Sequence, residues 1–222
     1  MTEGTPTPGC RYSSDEERAN ALTHGIGVVA SCIGLMLLLN GTTFTGTPER
    51  AIGGLIFGVS LVLLYLASTL YHSLSSPRAK HIWRKLDHAA IFILIAGTYT
   101  PFMLLVVEGP LAWTILSLVW GLAIAGTVCT WCLIGRFKRL FLAVYIAMGW
   151  LCVLTIHEIL HNTPTSAFIC LVLGGLLYTG GTIFYGWSRL RFHHAIWHLF
   201  VLSGSLLHFL SVYQITGSGG LH

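Results

Sequence analysis

Seven apolar runs follow one another along the chain, at 22–40, 51–72, 88–107, 111–134, 139–156, 166–187 and 193–214. Each is close to the length of one helical crossing of a bilayer core, about 20 residues. Backbone polar groups at that depth find no water and must pair within their own segment, so a lone apolar run crosses only as a helix. The sequence therefore predicts an all-α integral membrane protein, a seven-transmembrane helix bundle. Charge agrees: 9% of the residues are charged, against about 25% in an ordinary soluble domain. So few charges could not cover a water-exposed surface, and a disordered chain needs the opposite balance. The crossings consume most of the chain. That leaves a disordered polar arm over 1–16 with Pro6 and Pro8, one membrane domain over 17–214 and a short tail over 215–222. The first run lacks the basic start and small-residue cleavage site of a signal peptide and reads as a retained span.

The few charges orient the bundle. With the amino terminus inside, eleven of the twelve Lys and Arg residues fall on the inner side, and Arg50 alone falls outside. Basic loops stay cytoplasmic, and the anionic inner leaflet favours them. Seven crossings then put the carboxy terminus outside, in a multi-pass protein of an inner or plasma membrane. The net charge of +4 is too small and too scattered for a nucleic-acid footprint. Cys32, Cys129, Cys132, Cys152 and Cys170 sit in apolar runs and Cys10 in the arm, which suits small buried hydrophobes better than a disulfide framework. Cys129 and Cys132 have metal-knuckle spacing but no second pair.

Ionisable groups at membrane depth are costly and mark function. Glu17, Asn20 and His24 share one face at the start of span 1, and Ser68 and His72 share one at the end of span 2. Asp87 and His88 open span 3; His193, His194 and His198 open span 7. His194 and His198 are one turn apart, a spacing that lets two imidazoles reach one ion. The topology puts all of these groups at cytoplasmic helix ends, although only Lys and Arg were used to set it. Three imidazoles, from His72, His194 and His198, leave a fourth tetrahedral position open, the pattern of catalytic rather than structural zinc. Zinc there would supply a nucleophile from water at neutral pH. Asp87 could hold or deprotonate that water, and Ser68 could bond it or a developing oxyanion. The competing reading is a set of interfacial histidines that snorkel or cap helices.

Other polar features are plainer. His157-Glu158-Ile159-Leu160-His161 matches the His-Glu-x-x-His zinc protease pattern. It falls on the outer side, is cut short by Asn162-Thr163-Pro164 and has only Glu49, Glu108 or His222 as a third ligand, so it reads as an interfacial cap. His81 and His88 read as solvated or helix-start residues, and His208, about 15 Å along span 7 from His198, as a hydrogen-bonded interior residue. Pro101 should kink or thin span 3. Tryptophans near helix ends form an aromatic belt, and glycines such as Gly53 and Gly174 mark helix contacts.

Taken together, Glu17-x-x-Asn20-x-x-Thr23-His24-Gly25, Ser68-Thr69-Leu70-Tyr71-His72-Ser73, Arg84-x-x-Asp87-His88, Thr98-Tyr99-Thr100-Pro101 and His194-x-x-x-His198 with Gly204 and His208 resemble the bacterial hemolysin III family. That family is similar to the progestin and adiponectin receptors and, more widely, to alkaline ceramidases. The resemblance covers 15–214. It implies a seven-helix fold with zinc near the cytoplasmic face, ligands at His72, His194 and His198, a water-positioning Asp87 and a nearby Ser68, with Glu17, Asn20 and His24 around them. The long amino-terminal domain of the eukaryotic receptors is missing, which weakens a carry-over of hormone binding. The bacterial branch is associated with cytolysis and membrane homeostasis.

Two classes of function follow. One is a zinc-dependent, ceramidase-like hydrolase of a lipid amide or ester, with membrane lipid as substrate. The other is non-enzymatic: a membrane-homeostasis or fluidity sensor, receptor or cytolysin in which zinc staples spans 2 and 7. A transporter fits less well, because the ionisable residues crowd one end and spans 4, 5 and 6 carry no deep charge.

Overall fold

The computed structural model describes residues 12–43, 47–133 and 136–217; Cys10, Arg11, His222 and the end of the tail lie outside them. Helix α1 (Ser14–Thr43) begins well before the apolar run. Hydropathy marks the depth of lipid, whereas a helix begins where its first N–H groups find partners. Here Glu16 Oε2 accepts from Ser13 N at 2.9 Å, and Ser13 Oγ accepts from Glu16 N at 3.3 Å, a reciprocal capping box. The helix thus reaches back into the polar arm, and Tyr12 is buried. Helices α2 (Pro48–Ser73) and α3 (Pro77–Leu105) each start on a proline after an extended residue, Thr47 or Ser76. Proline suits that place because the first helical N–H has no partner to lose. α3 thereby starts eleven residues ahead of its apolar run and continues through Pro101, which packs on α2. A Cβ added to Gly53 would lie 2.9 Å from Pro101 Cα, so only glycine permits this approach.

α4 (Gly109–Leu133) follows Glu108 and starts on Gly109, whose φ of +71° suits only glycine. The fifth crossing is not one helix. α5 (Lys138–Trp150) passes through a 3-10 turn, Leu151–Thr155, into α6 (Ile156–Asn162). The break has an external cause. Tyr99 Oη donates to Met148 O at 2.9 Å and Gly149 O at 3.0 Å, at the point where Leu151 N turns to Met148 O and the helix tightens to 3-10. α7 (Thr165–Gly186) and α8 (His193–Gly217) complete seven membrane-length crossings.

α2 and α3 form the centre, buried over 56% and 61% of their most apolar stretches against 11% for the fifth crossing. α1 flanks α2, α4 flanks α3, α7 pairs with α8, and α8 closes back on α1. The core holds Phe57, Phe92, Val119 and Val212, while Leu22, Ile26, Val29 and Ile33 make an outward stripe on α1. Apolar residues on both faces are what a lipid solvent demands. Helix association then rests on close packing and interhelical hydrogen bonds. The hydroxyls of Tyr65 and Tyr178 meet at Ser205 Oγ, at 2.6 and 2.7 Å, pinning α2 and α7 to α8.

Candidate metal centre

α1, α3 and α8 begin at the end of the bundle where α2 finishes. That single fact brings together polar residues distant in sequence. Asn20, His24, Ser68, His72, Asp87, His194 and His198 are all buried at this end. One donor nitrogen from each of His72, His194 and His198 lies within 4.8 Å of the other two. Among the described residues this is the one such group.

The hydrogen bonds show which nitrogens are free to bind. His72 Nδ1 lies 2.6 Å from Glu17 Oε2. A carboxylate only accepts, so Nδ1 carries a proton, and in the neutral ring the lone pair is on Nε2. That Nε2 is buried without a partner. Glu17 is held in turn by Lys80, whose Nζ is 2.7 Å from Oε1. His198 Nδ1 lies 3.1 Å from Thr23 Oγ1 and 3.2 Å from Asn20 O. The Thr23 proton is directed at Ala19 O, 2.9 Å away, so the hydroxyl accepts from His198 and leaves Nε2 as its free donor. His194 presents a buried Nδ1 with no partner. Orphaned nitrogens at this depth cost free energy unless something binds them. The donor set, three imidazoles of which His72 has a carboxylate behind it and His198 a hydroxyl and a backbone carbonyl, fits zinc.

The other residues singled out from sequence divide by position. His24 stacks on His198, with centroids 3.5 Å apart and planes at 15°, and meets Tyr65 edge-on at 5.1 Å. It acts as a wall that fixes the His198 ring. Asp87 Oδ2 is 3.3 Å from His88 Nδ1. Asp87, His88, His24, His194 and His198 together line one end of a cavity of about 220 Å³, whose other end reaches Phe102, Ile159, Leu171 and His208. Ser68 is buried one turn from His72 on α2. Sequence reasoning gave no site role to Thr23, Lys80 or Tyr12. Thr23 lies one turn from Asn20 and Lys80 close beyond the α2–α3 turn, so helical spacing could have flagged them. Tyr12, in a polar arm, carries no periodic signal.

His208 has its own partner, Leu171 O at 3.1 Å from Nε2, in a slot that Gly174 leaves open: a Cβ there would lie 2.2 Å from its ring. The His-Glu-x-x-His motif is otherwise occupied. Glu158 accepts from Glu108 N at 3.1 Å, His161 Nδ1 bonds His157 O at 2.7 Å, and no third ligand joins the pair among the described residues.

If Glu17 orients His72, Glu17→Gln should weaken zinc binding by about 10–100-fold, the usual cost of losing a partner behind a metal ligand. Competition titration against a chelator measures it, and unchanged affinity would refute the role.

Comparison with known proteins agrees with the architecture. Residues 12–209 match the family described as haemolysin-III related. The chain is 45% identical over 197 residues to Hemolysin-3 of Bacillus cereus, covering 89% of this chain and 90% of that protein. It is 45% identical over 201 residues to the Hemolysin-3 homolog of Bacillus subtilis, covering 90% and 94%. It is 28% identical over 222 residues to the human monocyte to macrophage differentiation factor, covering 96% and 90%. With its seven membrane-length helices, the chain is a multi-pass plasma-membrane protein that belongs to the haemolysin-III related family, within the progestin and adiponectin receptor superfamily.

Proposed function

We propose that the protein is a zinc-dependent hydrolase that cleaves an amide or ester bond of a membrane lipid, with its site at the cytoplasmic face. One observation carries the reading: three buried histidines cluster near a buried carboxylate, and two of them, His194 and His198, line one end of a largely apolar cavity together with Asp87. The metal-binding end also carries the basic loops, which supports the inside orientation.

Zinc bound to His72, His194 and His198 would supply Lewis acidity and an acidified water. The chain supplies the rest. Glu17 and Thr23 hold two of the imidazoles in the required tautomer. The cavity takes the acyl chain and brings the scissile carbonyl to its polar end, which raises the effective concentration of the reacting groups. Asp87 takes a proton from the attacking water and returns it to the leaving nitrogen or oxygen as the acyl C–N or C–O bond breaks. Ser68, buried one turn from His72, would donate to the carbonyl oxygen as negative charge builds on it. Water adds across the bond, giving a fatty acid and an amine or alcohol.

The test is to incubate purified protein with ceramide and with acylglycerol in mixed micelles and quantify released fatty acid by mass spectrometry. Release from one class should stop on chelation and return with zinc. No release from any acyl lipid by protein that holds zinc would leave the ion as a staple between α2 and α8, and the hydrolase reading would fall.

A further inference from the structure

The cavity is a poor route for a metal ion. A dication would have to cross apolar surface at membrane depth, where charge is strongly disfavoured. Access must lie at the end of the bundle where α1 and α8 begin; there a pocket lined by Ser14, Glu17, Arg18 and Ser73 reaches His72, and Tyr12 lies over the histidine rings. Tyr12 is buried and is not part of the cavity lining. Its ring stacks on His194 with centroids 5.0 Å apart and planes at 24°, and tilts against His72 at 5.9 Å and His193 at 5.8 Å. Two of those three rings belong to the metal cluster.

Glu16 holds this cover down. Besides capping its own helix through Oε2, it accepts from Phe192 N at 3.1 Å through Oε1. Phe192 has φ +58°, a left-handed conformation that a bulky residue rarely adopts. It sits in the turn leading directly to His193 and His194. One carboxylate therefore ties the first turn of α1 to the turn that delivers two histidines. The tie consists of a few hydrogen bonds at a chain segment flanking the bundle, the class of contact that opens locally without global unfolding.

We propose that residues Tyr12–Glu16 form a strap that closes the metal centre and gates the passage of zinc in both directions. The proposal rests on zinc binding to the three histidines but not on hydrolysis. A gate has a kinetic signature that a ligand support lacks. Opening it speeds uptake and loss together, so affinity moves less than either rate; weakening the ligands raises the rate of loss alone.

The experiment uses full-length protein in detergent. Zinc loss is followed with a chromogenic chelator and zinc uptake by stopped flow, for wild type, Tyr12→Ala, Tyr12→Phe and Glu16→Ala. Tyr12→Ala and Glu16→Ala should each raise both rates by about tenfold or more, the scale on which contacts around metal ligands act. Tyr12→Phe, which keeps the ring, should stay nearer wild type than Tyr12→Ala. Helix content and melting of the zinc-free proteins show whether each variant folds, and Glu16→Ala stands alone if Tyr12→Ala does not. Unchanged rates in folded variants, or faster loss with unchanged uptake, would overturn the strap. A wild type that binds no zinc would overturn the metal centre itself.

Discussion

Replacing His198 with alanine is expected to give a protein that folds, holds no stoichiometric zinc and releases no measurable fatty acid. His198 is the ligand most tightly set by its surroundings: Nδ1 faces Thr23 and Asn20 O, and His24 covers the ring. Its removal leaves two imidazoles, too few for a tetrahedral site with an open position. Loss of the Lewis acid forfeits several kcal/mol of transition-state stabilisation, roughly a thousandfold or more in rate. Much of the core, around Phe57, Phe92 and Val119, lies in other helices, so helix content by circular dichroism should hold. His72→Ala and His194→Ala should behave alike. Full zinc content by elemental analysis in all three variants would disprove the centre.

Asp87→Asn should separate binding from chemistry. Asp87 is not one of the three clustered ligands, and asparagine preserves its shape beside His88. Zinc stoichiometry should therefore stay at the wild-type value. Hydrolysis should drop by about 10²–10⁴-fold, the usual contribution of a positioned general acid–base group. The loss should appear in kcat more than in KM, because a proton acceptor acts in the transition state rather than in lipid binding. An Asp87→Asn protein that turns over lipid at the wild-type rate would remove Asp87 from the chemistry while leaving the three histidines untouched.

The crossings were legible because hydropathy reports lipid contact directly, and the His194–His198 pair because one helical turn is a fixed distance. Depth joined these two to His72 and Asp87. Helix starts were less visible. The Ser13-to-Glu16 spacing was a local signal for α1, and Pro77 one for α3, but both lie outside the apolar runs. The break in the fifth crossing was not legible at all, since no proline lies within it and its cause, Tyr99, comes from another helix. Tyr12 was missed for a related reason. An aromatic in a polar arm gains its role from the rings it meets, and those belong to α2 and α8.

The packing of α8 against α1 has a consequence for biogenesis. His72 leaves the ribosome with the second crossing, whereas His194 and His198 arrive with the seventh. A nascent chain therefore offers a single donor of the trio throughout most of its insertion. The set is completed when the final helix docks beside the first. With the ion on these three histidines as proposed, its capture would be a late event in maturation, and a chain truncated before α8 could not retain it however well its earlier helices had inserted.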